Sequence, residues 1–464
     1  RERAETARLR AATQSDAGAI EETRSAGDRD PRPAASAGFG QVFGNTAVRF
    51  DVGYLESHSF DATRPSVPFD LHNPDRDPYR NRNLSGKLSH AFAPEQEVGL
   101  TWFVSEGKTH FDNGPTTDDV NETTLSAYSL YSRNRLTDRW ESLLRLGRGQ
   151  DDSDIAGAFP NAFRTTQDQL VWQNDVRVPG GTALAGIEYR RENIDSTTAF
   201  VETTRNIRSA FAGYTGALNQ HLLQVNLRND DYSDFGSRTT GSIAYGYTIT
   251  PDWKLRASAG TAFHAPTFND LFFPEFGNPN LRPERSRSVE AGVDYRTGVH
   301  RFSAAYFDTR ITDLIVFDPA TRLPQNLNRA RIRGVEWVYA GGFAGWQWRT
   351  QLTLQDPEEE ITGKRLPRRA RAHGRIALAR AFGPFKLGAE FIGSGARFDQ
   401  PNEAPDTRMG GYGLVNLLVS YALARDWSIN ARWNNVLDKD YELAQHFNTP
   451  KSNLFVSLHY SPQR

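Results

Sequence analysis

Two groups of carboxylates are the part of the chain best equipped to do chemistry. Asp61, Asp75 and Asp77 share one Pro-rich stretch, and Asp112, Asp118 and Asp119 share another. Acids at this density on flexible connections suit a hard divalent cation, since Ca2+ takes about six to eight oxygen ligands. The same residues would be equally at home as solvated surface acids, and spacing alone leaves both readings open. A second group, Phe268, Phe272, Phe273 and Phe276, lies in the Phe- and Pro-rich segment 263–284. Aromatics on a connection either offer a ligand surface or pack that connection onto its scaffold. Enzyme signatures are missing. The ten His form no HExxH, there is no GxSxG, and GKT at 107–109 lacks the upstream Gly of a phosphate loop. His264 and Asp308, which a rim-located hydrolase could use, belong to no paired acid–base set. A non-enzyme is expected.

Composition narrows the class. A formal net charge of −1 over 464 residues gives no basic excess for nucleic acid. No run approaches the roughly 18 apolar residues of a membrane helix, a test that β-barrels escape because only alternate residues face lipid. Zero Cys excludes disulfides and thiolate metal sites. The chain starts at Arg1 without a secretion signal, which suggests a processed or truncated product. Nine Trp and 28 Phe fit interfacial aromatic belts as well as large cores.

The elements that must position these residues are strands. From about residue 33, runs of alternating character recur between turn signals, for example at 46–61, 96–109, 205–217, 299–311 and 426–436. That rhythm describes one antiparallel meander with no βαβ units. The connections are of two kinds. Short ones, TPD (250–252), FAG (343–345), GP (383–384) and ARD (424–426), are followed almost at once by Trp253, Trp346, Phe385 and Trp427. Long ones, such as 263–284, 356–367 and 437–450, alternate with them. Short turns at one end, long loops at the other and aromatics at a constant level describe an outer-membrane barrel, since a soluble sandwich has no reason to repeat Trp or Phe at one height.

Facing follows from energetics. In 426–436, Trp427, Ile429, Ala431 and Trp433 oppose Ser428, Asn430, Arg432 and Asn434; in 385–391, Phe385, Leu387, Ala389 and Phe391 oppose Lys386 and Glu390. A Lys or Arg on the lipid face at mid-membrane costs about 2–4 kcal/mol, so the charged face is assigned to a polar, wet lumen.

GTAFHAP (260–266), GNPNLRPE (277–284) and VEAGVDY (289–295), in that order, resemble the late-barrel signature of TonB-dependent outer-membrane receptors, and most of all the cobalamin receptors among them. NRARIRGVEW (328–337) and NNVLDKDYE (434–442) are similar to family stretches too, with Gly334, Asn435 and Asp438 expected to fix strand and turn geometry. The resemblance implies a transmembrane antiparallel β-barrel of about 22 strands, short periplasmic turns and long extracellular loops in the outer membrane. It implies a transporter that captures cobalamin or another scarce nutrient on its loops, working with a plug domain and with TonB. It also implies that Ca2+ orders the loops, because FDATRPSVPFDLHNPDRDPYRN (60–81) and HFDNGPTTDDVNE (110–122) look like the calcium-binding loops of cobalamin receptors. A siderophore-type receptor of the same family and a plugless, porin-like passive channel are the alternatives. The amphipathic final run Leu454, Val456, Leu458, Tyr460 resembles the signal read by the barrel-insertion machinery, although SPQR follows it.

Residues 1–32 are charged and without strand alternation, and are read as a disordered leader or plug remnant, with the barrel at 33–464. Counted this way the runs come to an odd number, whereas closed barrels of this type have even numbers. A merged or shortened strand in the first hairpin, ASAGFGQVFGNTAVRF, is the expected cause.

Overall fold

A computed structural model of the protein describes residues 19–26, 33–318 and 321–462. The main sheet has 23 strands, one of them the two-residue flap Lys364–Arg365 on a loop, leaving 22 in the wall. In order these are β1 (Ala19–Ala26), β2 (Ala34–Phe43), β3 (Thr46–Ser57), β4 (Tyr79–Ala93), β5 (Gln96–Asp112), β6 (Asp118–Thr137), β7 (Trp140–Ala156) and β8 (Asn161–Val178). Next come β9 (Gly181–Ser196), β10 (Thr204–Leu218), β11 (His221–Tyr232), β12 (Gly236–Thr248), β13 (Trp253–His264), β14 (Glu284–Thr297) and β15 (His300–Asp318). The last are β16 (Leu323–Phe343), β17 (Trp346–Glu359), β18 (Ala372–Phe382), β19 (Phe385–Ser394), β20 (Tyr412–Ala424), β21 (Trp427–Asn434) and β22 (Asn453–Tyr460). Each pairs antiparallel with the next, and β1 pairs with both β2 and β22, so the ladder closes on itself.

The strand that closes the ring lies where the sequence suggested a leader. The first hairpin is intact, with Phe43 opposite Thr46. The missing strand is β1, AIEETRSA, which pairs from Ile20↔Tyr460 to Ala26↔Leu454 on one edge and with 34–38 on the other. Its sequence runs through four consecutive polar residues, Glu21, Glu22, Thr23 and Arg24, which leaves no period-two signal to read, while backbone pairing needs no such signal. The rest of the 1–32 segment lies outside the described residues.

One end of the barrel carries turns such as 44–45, 298–299 and 383–384; the other carries 58–78, 265–283, 395–411 and 435–452. At Gly383 the tight turn needs a φ of +56°, a conformation glycine adopts without a Cβ penalty. Next to the short turns, aromatic rings meet across neighbouring strands. Trp253 lies 4.4 Å from Tyr295, Phe385 4.7 Å from Tyr421 and Trp427 4.6 Å from Tyr460, the interfacial girdle expected from the sequence. Crossing a bilayer needs about 9–11 residues per strand. β6 with 20 and β16 with 21 therefore stand well above it on the long-loop side.

The two faces differ as the alternation predicts. In β19, Phe391 is 46% exposed and its neighbour Glu390 only 3%, because side chains crowd on the concave face and spread on the convex one. Glu390 accepts bonds from Asn416 at 2.7 Å and Arg432 at 2.6 Å, with Arg375 on its second oxygen. Farther round the lumen wall, Arg228 bridges Glu188 at 3.0 Å and Asp230 at 2.8 Å, and Arg256 joins Glu290 and Asp294. Gly334 is required by packing, since a Cβ there would lie 2.3 Å from the Leu354 carbonyl oxygen.

Removing the buried carboxylate should cost more than removing an exposed one. Glu390→Leu leaves Arg375, Arg432 and Asn416 without their shared acceptor and is expected to destabilise the detergent-solubilised barrel by roughly 2–3 kcal/mol. Glu290→Leu, at a half-exposed pair, should cost under about 1 kcal/mol. Heat-dependent gel mobility and a thermal melt check the ranking, and equal losses would contradict it.

Candidate functional site

The carboxylates singled out in the sequence meet at the long-loop rim. The β5–β6 hairpin ends on the directly opposed pair Asp112↔Asp118. Loop 58–78, which joins β3 to β4, folds onto that hairpin: the Ala62 N–H donates to Asp77 at 2.7 Å, and the Thr63 hydroxyl donates to Asp112. Carboxylate oxygens of Asp75, Asp77 and Asp112 come within 4.8 Å of one another, as do donor atoms of Asp61, His72 and Asp112. Asp118 faces the same group and carries His110 at 2.7 Å.

Four of these acids, Asp61, Asp77, Asp112 and Asp118, each have a buried carboxylate oxygen with no hydrogen-bond partner. Burial pushes Asp77 up to about 6, with Asp112, Asp75 and Asp118 adding to the rise against the Ala62 N–H, which opposes it. Burial likewise raises Asp61 and, with Asp118 and Asp112 close by, Asp75. Crowded, desolvated carboxylates with idle lone pairs are electrostatically unfavourable unless a cation joins them, so the donor set fits a hard metal. Asp75, Asp77, Asp112 and Asp118 offer oxygen only, the chemistry Ca2+ prefers, whereas the imidazole of His72 would suit a transition metal.

Asp119 does not belong to the group. Successive strand residues point to opposite faces, and Asp119 instead accepts from the Asn113 side chain at 2.6 Å and the Ala158 N–H at 2.9 Å. It is a fully buried brace for the neighbouring loop, not a free ligand.

Contacts that the sequence did not suggest hold the acidic loop in place. The C-terminal loop 435–452 docks beside it through the Thr63↔Phe447 bridge. Arg64 reaches Asp440 at 3.0 Å and Glu442 at 3.1 Å, and the Asn448 amide donates to the carbonyls of Asp61 and Thr63, both at 2.9 Å. Asn435 and Asp438 shape that loop as expected. Both have positive φ, Asn435 bonds Lys439 at both ends of its amide, and Asp438 accepts from the Ser452 N–H. Hairpin register could have found His110, which is diagonal to Asp118 across the ladder. Nothing local marks Asn448.

The aromatic loop divides. A one-turn helix, α1 (Phe268–Phe272), is held by a capping box between Thr267 and Asp270. Phe268 is buried with Leu271 and Leu281, its ring 4.9 Å from the guanidinium of Arg205. Of the two roles the sequence left open for Phe268, ligand surface or packing, the structure gives it packing, as the loop's own core. Phe272 and Phe273 are half-buried, Phe273 lying edge-on to Phe200 at 5.6 Å, and Phe276 is exposed. Arg205 itself is buried and donates to Asp234 at 2.7 Å and to the Pro266 carbonyl at 2.8 Å. It thereby ties the loop to the β9–β12 rim.

Beside the C-terminal loop, the lumen face of β17–β20 opens a cavity of about 490 Å³ lined by Arg368, His373, Arg375, Arg397, Tyr412 and Leu443. Arg397 is 4% exposed, stacks 5.4 Å from the Tyr412 ring and leaves one guanidinium nitrogen unpartnered. The mouth thus combines a carboxylate nest, an aromatic loop and a basic wall.

Comparison with known proteins agrees with this architecture. The chain is 29% identical over 400 residues to the vitamin B12 transporter BtuB of Vibrio cholerae and 24% identical over 403 residues to that of Photobacterium profundum. Each alignment takes in 83% of this chain, which spans 65% of the length of those relatives. Among solved structures, a variant of the ferric enterobactin receptor of Pseudomonas aeruginosa superposes with a TM-score of 0.81 at 16% identity, covering 96% of this chain and 80% of that one. The siderophore receptor PirA of Acinetobacter baumannii gives 0.81 at 15%, with the same coverage. Residues 22–436 match the family described as TonB dependent receptor-like, beta-barrel, and with its closed wall, girdle and long-loop mouth the chain belongs to that family and to the outer membrane.

Proposed function

We propose that this chain is the barrel of an outer-membrane uptake receptor for a corrinoid of the cobalamin type, whose rim is ordered by Ca2+. The observation that carries the reading is the convergence of Asp61, Asp75, Asp77, Asp112 and Asp118, all but Asp75 with an idle buried oxygen, in the two loops that resemble the calcium loops of cobalamin receptors. Relatives named as vitamin B12 transporters support the same substrate. Asp75, Asp77, Asp112 and Asp118 would hold the ion. It would supply charge neutralisation that lets two loops pack against each other. The remaining residues do the recognition: Phe272, Phe273 and Phe276 present apolar edges, and the Arg397 wall faces anionic groups. A corrinoid, with a broad apolar ring and a phosphodiester, carries both features. In such a receptor a plug domain would occupy the lumen and TonB would act on it.

A siderophore receptor is the second reading, favoured by the basic cavity, which suits a polyanionic ferric chelate. Equilibrium binding to the detergent-solubilised chain separates them. Cyanocobalamin should bind in Ca2+ and weaken at least tenfold in chelator. A ferric catecholate that binds in its place, indifferent to Ca2+, would assign the siderophore class.

Calorimetric titration should show saturable Ca2+ binding at pH 7.5. Asp75→Asn/Asp77→Asn should abolish it, while Asp119→Asn should leave it within about threefold. Sign follows from Asp77: its folded carboxyl is raised to about 6, so the ion competes with no proton there above that pH. Below it, affinity should fall by up to about tenfold per pH unit for each proton displaced. Binding that strengthens on acidification would contradict the assignment.

Arg205→Leu removes the buried tie of the aromatic loop and strands Asp234. Protease cleavage within 265–283 should accelerate at least tenfold and corrinoid affinity should drop, with Ca2+ affinity unchanged. An unaltered cleavage rate would show that the loop is held by other contacts.

A further inference from the structure

The outer wall carries a second charged feature that nutrient binding does not use. Lipid-facing parity is fixed on β14 by Tyr295, in the girdle, and by Val289, 51% exposed; on β15 it is fixed by Tyr306, 45% exposed. The same parity runs upward to Arg287 and Arg285 on β14, Arg310 on β15, and Arg331 and Arg333 on β16. Register makes three of them a row: Arg287 is directly opposite Arg310, and Arg310 directly opposite Arg331. Directly opposed residues hold their Cβ atoms about 4.5–5.5 Å apart, and like charges in that arrangement repel.

Some outward charges elsewhere on the wall are neutralised in pairs. Arg148 forks onto Asp168 at 2.6 and 2.9 Å, Lys108 meets Glu122 at 2.9 Å, and Arg164 meets Asp152. In the arginine block, Asp308 is engaged by Arg331, and Asp356 lies 3.3 Å from both Arg333 and Arg371. Among the described residues, Arg285 and Arg287 form no close ion pair, and Arg310 feels Asp308 only at longer range, that carboxylate being gripped by Arg331. Height identifies the counterion. From Tyr295 to Arg287 the strand climbs about 20 Å along the membrane normal at ~3.3 Å per residue and ~40° tilt. That approaches the ~25 Å height of the apolar band, so the row lies where the headgroups of the long-loop-side leaflet begin.

We propose that the Arg287–Arg310–Arg331 row, flanked by Arg285 and Arg333, is a docking site on the outer wall for the phosphorylated headgroup of an outer-leaflet lipid. Guanidinium forks grip phosphate oxygens bidentately. A phosphate at this level relieves the repulsion within the row, while the acyl chains of its lipid run down over Val289 and Tyr306.

The test uses the full chain in a non-ionic detergent, titrated with bis-phosphorylated lipid A. Saturable binding is expected, with affinity falling at least tenfold in Arg287→Gln/Arg310→Gln and by much less in Arg287→Lys/Arg310→Lys. Arg148→Gln, at an outward arginine already paired, should leave it within twofold. Both double variants should keep the heat-modifiable gel mobility of the folded barrel, because glutamine removes a repulsion. Equal binding of the dephosphorylated lipid, or indifference to the Gln substitutions, would overturn the proposal. So would saturation of the row by inorganic phosphate at the same affinity, which would assign a free anion instead of a lipid.

Discussion

Every backbone polar group in the hydrocarbon layer must find its partner within the protein, and only a closed ring of strands does that for a sheet. The wall meets this condition through its least conspicuous segment. Residues 19–26 pair with 34–38 on one edge and with 454–460 on the other, turning an open array into a ring of even number. Without them the backbones of β2 and β22 would face lipid along a full edge. Closure also bears on the rim, because the acidic loop after β3 and the C-terminal loop before β22 sit on either side of this seam. The contacts of Arg64 and Asn448 depend on the seam being shut.

Once the ring is closed, alternation assigns each residue to one of two solvents. The outward face carries aliphatic and aromatic side chains between the girdle and the rim, and the inward face carries arginine and carboxylate ladders, crowded enough to bury Glu390. Above the membrane the same long strands continue and polarity returns on both faces. There the chain concentrates its distinctive side chains: carboxylates on the first loops, aromatics on the loop after β13, and arginines beside the C-terminal loop. Strand length, not loop length alone, lifts Asp112 and Asp118 to the height where loop 58–78 can reach them.

Much of this was legible in the sequence because barrels encode facing residue by residue. Trp253, Trp346, Phe385 and Trp427 marked the short turns, and the girdle contacts of three of them occur next to those turns. What escaped has physical causes. β1 escaped because its sequence has a run of four polar residues without alternation and its place is set by backbone pairing. Asp119 was grouped with Asp118 because adjacency in sequence hides the half-turn between neighbouring strand residues. Phe268 looked like its aromatic neighbours until Arg205, from a strand far earlier in the chain, gave it a buried partner. His72 and Asn448 reach the acidic group through loop conformation, to which no periodicity applies.

The most direct test of the account is whether residues 19–26 close the ring. The chain has no Cys, so a single introduced pair can be read without background. Thr23→Cys with Ser457→Cys places two thiols at directly paired positions of β1 and β22. Mild oxidation of the folded protein in membranes should join them nearly completely, giving a band of altered mobility that reductant reverses. Thr23→Cys with Leu454→Cys, about 10 Å out of register, should stay largely unlinked. If the paired positions fail to cross-link, or if both pairs link equally, residues 19–26 do not occupy the seam and the closed 22-strand wall is wrong.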